Sequence, residues 1–204
     1  RMRKAIKRME QNSAYYYRAL DTMLDIRAHT GEVVHPYLTH RPGQPKMGYI
    51  IIAGDKGLAG SYNHDILAFA EETLRGKNVA QIITVGDVAT RYFKRTGREV
   101  NARFENMMTD LSVDTSRALM ALIKQLYDQR VIDEVHIIYM RFINSARQKP
   151  KDFKLLPIEL SDFGADHPPR VDNIEMLYDP SPEQVFDALI PQFMIGVIYG
   201  TMVH

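Results

Sequence analysis

Along the first thirty residues the apolar positions recur at helical spacing. Met2, Ile6, Met9, Ser13, Tyr16, Leu20 and Met23 follow one another at steps of four and three, and six of the seven are apolar. Sustained four-three spacing is the seam of a left-handed coiled coil, with an ordinary amphipathic helix lying on a domain core as the alternative. Residues 1–30 are therefore predicted as one long helix, unbroken by glycine or proline until Gly31. The segment "HPYLTHRPGQPK" that follows carries three prolines and is predicted as a loop.

The period then changes. Met47 to Ala53 is an almost continuous apolar run, the pattern of a strand buried on both faces. "NHDILAFAEETLRGK" is predicted as a helix with Asn63 at its N-cap and Gly76 as its stop. "AQIITVG" is a second buried strand, Asp87 to about Thr96 a short helix, and "REVNARFEN" a weaker third strand. "SVDTSRALMALIKQLYDQRVID" is predicted as a helix with Ser112 or Asp114 near its N-cap. "EVHIIYMRFI" is another strong strand, and "FKLLPIEL" a last one, placed at an edge by Pro157. "SDFGADHPPRVDN" is a loop, and from Ser181 a second long helix begins on a Ser-Pro start. Its seam is Phe186, Leu189, Phe193, Gly196, Gly200 and Val203, where two glycines would let another backbone come close. Strands alternating with helices imply an α/β fold with a mostly parallel sheet covered on both faces. The predicted organisation is a terminal helix over 1–30, an α/β domain over 46–160 and a second terminal helix over 181–204, the two helices pairing as an antiparallel coiled coil.

Composition narrows the function classes. The 204 residues are 45% apolar and 25% charged with a formal net charge of +1, ordinary for a soluble globular protein and without the basic footprint of a nucleic-acid binder. There are no cysteines, which excludes disulfides, thiolate metal sites and cysteine nucleophiles. Ala188 to His204 carries no formally charged residue, but Pro191, Gln192 and two glycines interrupt it. A helix apolar on every side reads as a buried one rather than a membrane span. The chain begins at Arg1 in mid-helix and stops without a cap, so it reads as truncated at both ends.

Two features could carry chemistry or recognition. Gly54, Gly57 and Gly60 follow the first strand as G-x-x-G-x-x-G, with Asp55 inside the turn. A dinucleotide fingerprint needs G-x-G-x-x-G, and Lys56 stands where its second glycine should be. A phosphate loop needs Gly-Lys-Ser/Thr entering the helix, and "GSYN" enters it here. Asp87 does follow the second strand, where a ribose-binding acid would sit. A doubly wound nucleotide-binding module using the turn after Ala53 therefore stays open beside a purely structural turn. The second feature is basic: Arg3, Lys4, Lys7 and Arg8 crowd the start of the first helix, as a solvated face or as a surface for an acidic partner. Catalytic constellations are thin. His29, His35 and His40 have no metal-ligand spacing, His136 lies in a strand as a satisfied core or edge residue, and no serine sits in a nucleophile elbow. No catalytic, cofactor-binding or metal residue is assigned.

Four stretches carry a resemblance. "GDKGLAGSYN" resembles the D-R/K-G-L-C/A-G-x-x-N turn of the gamma subunit of rotary proton-translocating ATP synthase. "RMRKAIKRMEQNSAYYYRALDTM" resembles the later half of that family's N-terminal stalk helix, and "FINSARQKP" its F-x-N-x-x-x-Q-x-P segment. "LYDPSPEQVFDALIPQFMIGVIYG" resembles the start of its C-terminal stalk helix. The resemblance implies a Rossmann-like domain between two stalk helices, acting as the non-catalytic central shaft of the complex. It also implies alpha, beta and epsilon subunits and the membrane c-ring as partners, catalysis on the beta subunits, and a place at the cytoplasmic side of a bacterial cell membrane. Gly54, Asp55, Gly57 and Gly60 would then shape a turn, and Arg3, Lys4, Lys7 and Arg8 would meet an acidic partner surface. Residue 59 is Ala where many members have Cys, and the cysteine-bearing regulatory insert of the chloroplast members is missing, so no thiol control is implied. The outer parts of both stalk helices are also missing.

Overall fold

The computed structural model describes residues 2–31, 33–57, 60–104, 113–144, 146–163 and 181–203, with side chains from Tyr16 to Met202. Helix α1 spans Met2–Thr30 and ends where Gly31 takes φ +77 and donates to the Arg27 carbonyl, a left-handed stop that favours glycine. At about 1.5 Å per residue its 29 residues reach about 44 Å. Strands β1 (Met47–Ile52), β2 (Val79–Val85) and β3 (Ala102–Phe104) alternate with helices α2 (Tyr62–Leu74) and α3 (Asp87–Arg95). Helix α4 (Val113–Asp128) leads to the hairpin of β4 (Glu134–Asn144) and β5 (Arg147–Leu156), and α5 (Pro182–Val203) closes the chain.

The five strands form one sheet in the order β3-β2-β1-β4-β5, parallel except for the antiparallel β5 at its edge. Alternation along β1 explains the two cores. Tyr49 and Ile51 face α2 and α3, joining Ile66, Ala70, Phe93 and Ile138. Ile50 and Ile52 face the other way, joining Leu119, Ile123 and Tyr127 of α4 together with residues of α1 and α5.

Helices α1 and α5 run antiparallel. Tyr16 stacks on Phe193 at 5.4 Å between ring centroids, while His35, beyond the other end of α1, reaches Phe186 and Asp187. Leu20 and Met23 of the predicted seam are buried, with Ala19 and Ile26 beside them. On α5, Phe186 and Phe193 are buried as the seam predicts, but Leu189 is only half-buried and a Cβ on Gly200 would meet nothing within 4 Å. Ile190, Met194, Val197, Ile198 and Tyr199 are buried instead, because α5 packs on α4 and β4 as well as on α1. By length and composition, Pro182–Met202 could also cross a membrane. Here its apolar face is spent on the protein interior.

Four local expectations are corrected. Helix α4 stops at Asp128 rather than running to the segment's end, since Arg130 turns left-handed at φ 57 and lets Ile132 enter the core. Strand β3 is only three residues long. Strand β5 starts at Arg147, six residues before the predicted Phe153, and the proline inside it is Pro150; Pro157 lies just beyond its end. Pro150 is tolerated because the outer side of an edge strand has no ladder bond to lose. Lastly, Asn63 is not a cap, because the buried Gly54 amide claims its side chain from inside α2; the expected cap Ser112 lies outside the described residues.

The glycines of α5 separate packing from propensity. A Cβ on Gly196 would sit 2.7 Å from the Tyr16 Cβ, an atom too near the backbone to swing aside. Gly200 has open space around it. Gly200→Ala should raise stability by up to about 1 kcal/mol through helix propensity. Gly196→Ala should lose that gain and a further ~1–3 kcal/mol by overpacking. Urea denaturation of the two variants checks the opposite signs.

Candidate functional site

The turn after β1 is built by hydrogen bonds that reach well beyond its glycines. The Ala53 amide continues the ladder to the Val85 carbonyl at 2.8 Å. The next amide, of Gly54, is buried and donates to Asn63 Oδ1 at 3.0 Å, while Asn63 Nδ2 donates to the Lys56 carbonyl at 3.2 Å. A carboxamide carries an accepting oxygen and a donating NH2 on one plane, and these two backbone groups require one of each. That is why Asn63 points inward with 8% exposure and leaves the N-cap to Ser61, which makes no side-chain cap bond. Gly54 lies so close beneath Asn63 that a Cβ would be 3.2 Å from its Oδ1. Gly60 has φ +56, the left-handed region. Gly57 has open space around it, and Leu58 and Ala59 lie outside the described residues.

A glycine outside the motif is held more tightly than any within it. Gly86, between β2 and α3, has φ +99, and a Cβ there would fall 2.1 Å from the Ala53 carbonyl oxygen. Around it the two strand ends are knit together: Gly86 N donates to the Phe104 carbonyl at 2.8 Å and Val88 N to the Gly54 carbonyl at 3.1 Å. Asp87 N donates to Asp55 Oδ1 at 3.2 Å. A free helix N-terminus attracts anions, but at α3 the chain's own Asp55 carboxylate takes that place. Asp87 itself pairs with Arg91 at 3.1 Å on the surface. The crevice a dinucleotide would use is thus filled by backbone and by Asp55, which disfavours the nucleotide-module reading.

A second cluster joins the helix pair to the domain. The Tyr37 amide donates to His35 Nδ1 at 3.1 Å, leaving Nε2 as the ring N–H that donates to Asp187 Oδ1 of α5 at 2.6 Å. Tyr37 donates its hydroxyl to Asp128 at 2.6 Å and packs edge-on against Tyr127. Burial and the Asp128 carboxylate push the Tyr37 phenol well above its usual range. Arg41 lies 3.8 Å over the Tyr127 ring and donates to the carbonyls of Tyr127 and Ile132 at 2.7 and 2.9 Å and to Asp133 at 3.3 Å. Burial alone would raise Asp133, yet the Lys46 amide and Arg41 hold it below the usual carboxylate value. The proline-broken loop therefore strings α1, α4, β4 and α5 together. Sequence reasoning missed His35, Tyr37 and Arg41 as a unit, because their partners lie about 90 to 150 residues away in the chain.

The other predicted groups are dispersed. His29 bonds the Asp25 carbonyl and His40 bonds Glu159 at 2.9 Å, so the three histidines of this region face different partners. His136 stands between Asp152 at 2.7 Å and Glu134 at 3.0 Å, one carboxylate on each ring nitrogen, with Tyr49 beside it. Burial would lower its pKa, but the two carboxylates outweigh that and raise it above the ordinary 6.5. Arg3, Lys4, Lys7 and Arg8 lie on α1, and their side chains fall outside the described residues.

A family model described as ATP synthase matches residues 1–204. The ATP synthase gamma chain of Acetivibrio thermocellus is 32% identical over 211 residues, spanning 100% of this chain and 72% of that protein. That of Ruminiclostridium cellulolyticum is 33% identical, spanning 100% and 71%. Among solved structures, the central stalk and c-ring of Tetrahymena thermophila mitochondrial ATP synthase includes a chain matching at TM-score 0.61 and 18% identity, over 98% of this chain and 88% of its own length. The rotor of Euglena gracilis mitochondrial ATP synthase matches at TM-score 0.54 and 16% identity, over 98% and 83%. At those identities the structural likeness speaks for the fold.

His136 supplies a pH test. Its folded pKa lies above its ordinary value, so its stabilisation is fully present below about pH 6.5 and is lost as pH rises through the folded value. His136→Gln should cost about 2 kcal/mol at pH 6, the scale of a charge-assisted hydrogen bond. The gap to wild type should narrow at pH 9. Urea midpoints across that range check it.

Proposed function

Because the chain belongs to the ATP synthase gamma-chain family, we propose that it is the non-catalytic central shaft of the complex, carrying torque between a proton-driven membrane ring and the catalytic head. The observation that carries this reading is the antiparallel packing of α1 on α5, with the α/β domain inserted between them and tied back by His35 and Arg41. A shaft must resist twist between its two ends. A single helix bends easily, whereas two helices joined along a buried face twist only by shearing that face. The His35–Asp187 and Arg41–Tyr127 contacts then pass a turn of the domain into the helix pair.

In this reading residues 1–30 and 181–204 are the stalk and residues 46–160 the coupling domain. Catalysis falls to the beta subunits, and the partners are the alpha, beta and epsilon subunits and the c-ring. The complex sits at the cytoplasmic face of the cell membrane, this chain being peripheral to it. Gly54, Asp55, Gly57 and Gly60 serve the backbone of the turn. Arg3, Lys4, Lys7 and Arg8 present a basic face to an acidic surface of the alpha–beta ring, where clustered charge favours association.

Two measurements test this reading. Full-length protein should co-purify with a large ATPase complex, and its recovery alone, with saturable ATP or NAD binding abolished by Lys56→Ala, would contradict it. Reversing all four charges at residues 3, 4, 7 and 8 should weaken assembly or coupling. Unchanged ATP-driven proton pumping in the reassembled complex would remove that face from the account.

A further inference from the structure

The β4–β5 hairpin continues past the rest of the sheet. Pairing of β1 with β4 ends at Ile51 and Ile138, yet β4 runs on to Asn144 before turning back. Tyr139 and Met140 are still buried in the two cores, and the four exposed residues Arg141–Asn144 project about 14 Å at ~3.4 Å per residue. They leave the sheet at the β1–β4 switch point, the same end that carries the glycine turn.

The projecting part has an unusual composition. Between Tyr139 and Lys151 there are four basic residues, Arg141, Arg147, Lys149 and Lys151, and no acidic one. Among the described residues none of the four has a carboxylate partner. The register places Arg141 directly opposite Lys149 and Tyr139 opposite Lys151, gathering three cations on one face. A like-charge pair directly opposite destabilises a hairpin. Phe142 and Ile143 are 46% and 47% exposed, and Ile143 is the extra residue of a bulge, since Phe142 pairs with Gln148 and Asn144 with Arg147. Basic side chains are a usual guard on a bare sheet edge. That guard accounts for the charges but not for two large apolar side chains among them. Local rules broken together at one place point to a use.

We infer that this hairpin tip is a docking surface for an acidic protein surface bearing an apolar patch, on another subunit of the complex. Charge complementarity selects the acidic partner. The apolar pair with arginine beside it is the composition of an interface core. The inference rests on the shaft reading above.

The test uses full-length protein against the purified alpha–beta head, epsilon subunit and c-ring, each immobilised separately. Wild type should bind one of them more tightly at low salt. Arg141→Gln/Lys149→Gln and Phe142→Ala/Ile143→Ala should each weaken that binding about tenfold. The glutamine variant should keep or raise its melting temperature, since it removes a repulsive pair. Variants that bind like wild type would overturn the docking surface while leaving the shaft reading intact. So would a loss of binding matched by a fall in melting temperature, or a loss confined to phosphatidylglycerol vesicles. Failure of wild type to bind any of the three would overturn both.

Discussion

The packing of Tyr16 against Phe193 and Gly196 is the contact on which the architecture turns. It joins the first helix to the last, and so fixes where the two ends of the chain meet. A stacked ring pair gives area and orientation, and the glycine beneath it lets α5 come close enough for Leu20, Met23 and Ile26 to be buried in register. Without it α1 would have no partner along its apolar seam, and an isolated helix of this composition is marginal in water. The domain core shares the same surface: α5 also covers α4 and the face of the sheet that presents Ile50, Ile137 and Tyr139. Stalk and domain are therefore one continuous core rather than two bodies joined by a linker.

Continuity is what the function asks for. A subunit that passes torque does so through parts that cannot slip, and packed interiors transmit strain because they are dense. The loop after α1 adds directional ties to that packing. His35 bonds α5, Tyr37 bonds the end of α4, and Arg41 bonds the α4–β4 connection. The glycine turn belongs to the same logic. Asn63, Asp55 and Gly86 lock the ends of β1 and β2 together and leave the crevice filled.

Much of this was legible from periodicity, and the rest was not for identifiable reasons. The four-three spacing through Tyr16, Leu20 and Met23 and the apolar run of β1 report burial directly, so helix, strand and fold class followed. Local propensity favours Asn63 as a cap, while the buried amide of Gly54 claims its side chain. Gly86 attracts no notice locally; its need arises from the Ala53 carbonyl, more than thirty residues earlier. The first half of β5 is polar, "RQKPK", with no alternation to reveal a strand whose pairing comes wholly from β4. The predicted α5 seam was too narrow because it allowed for one neighbour where there are three.

The central claim is that α1 and α5 turn as one body with the domain. These 204 residues hold no cysteine, so within them an engineered pair has only itself to join. Tyr16→Cys with Gly196→Cys places two thiols where the Cβ positions already meet, and a small shift brings them to disulfide spacing, about 3.8 Å between Cβ atoms. In the assembled complex of the full-length protein, ATP-driven proton pumping should be the same with the disulfide formed or reduced. Pumping lost on oxidation and restored by reductant would mean that the two helices move against each other, and would contradict the account.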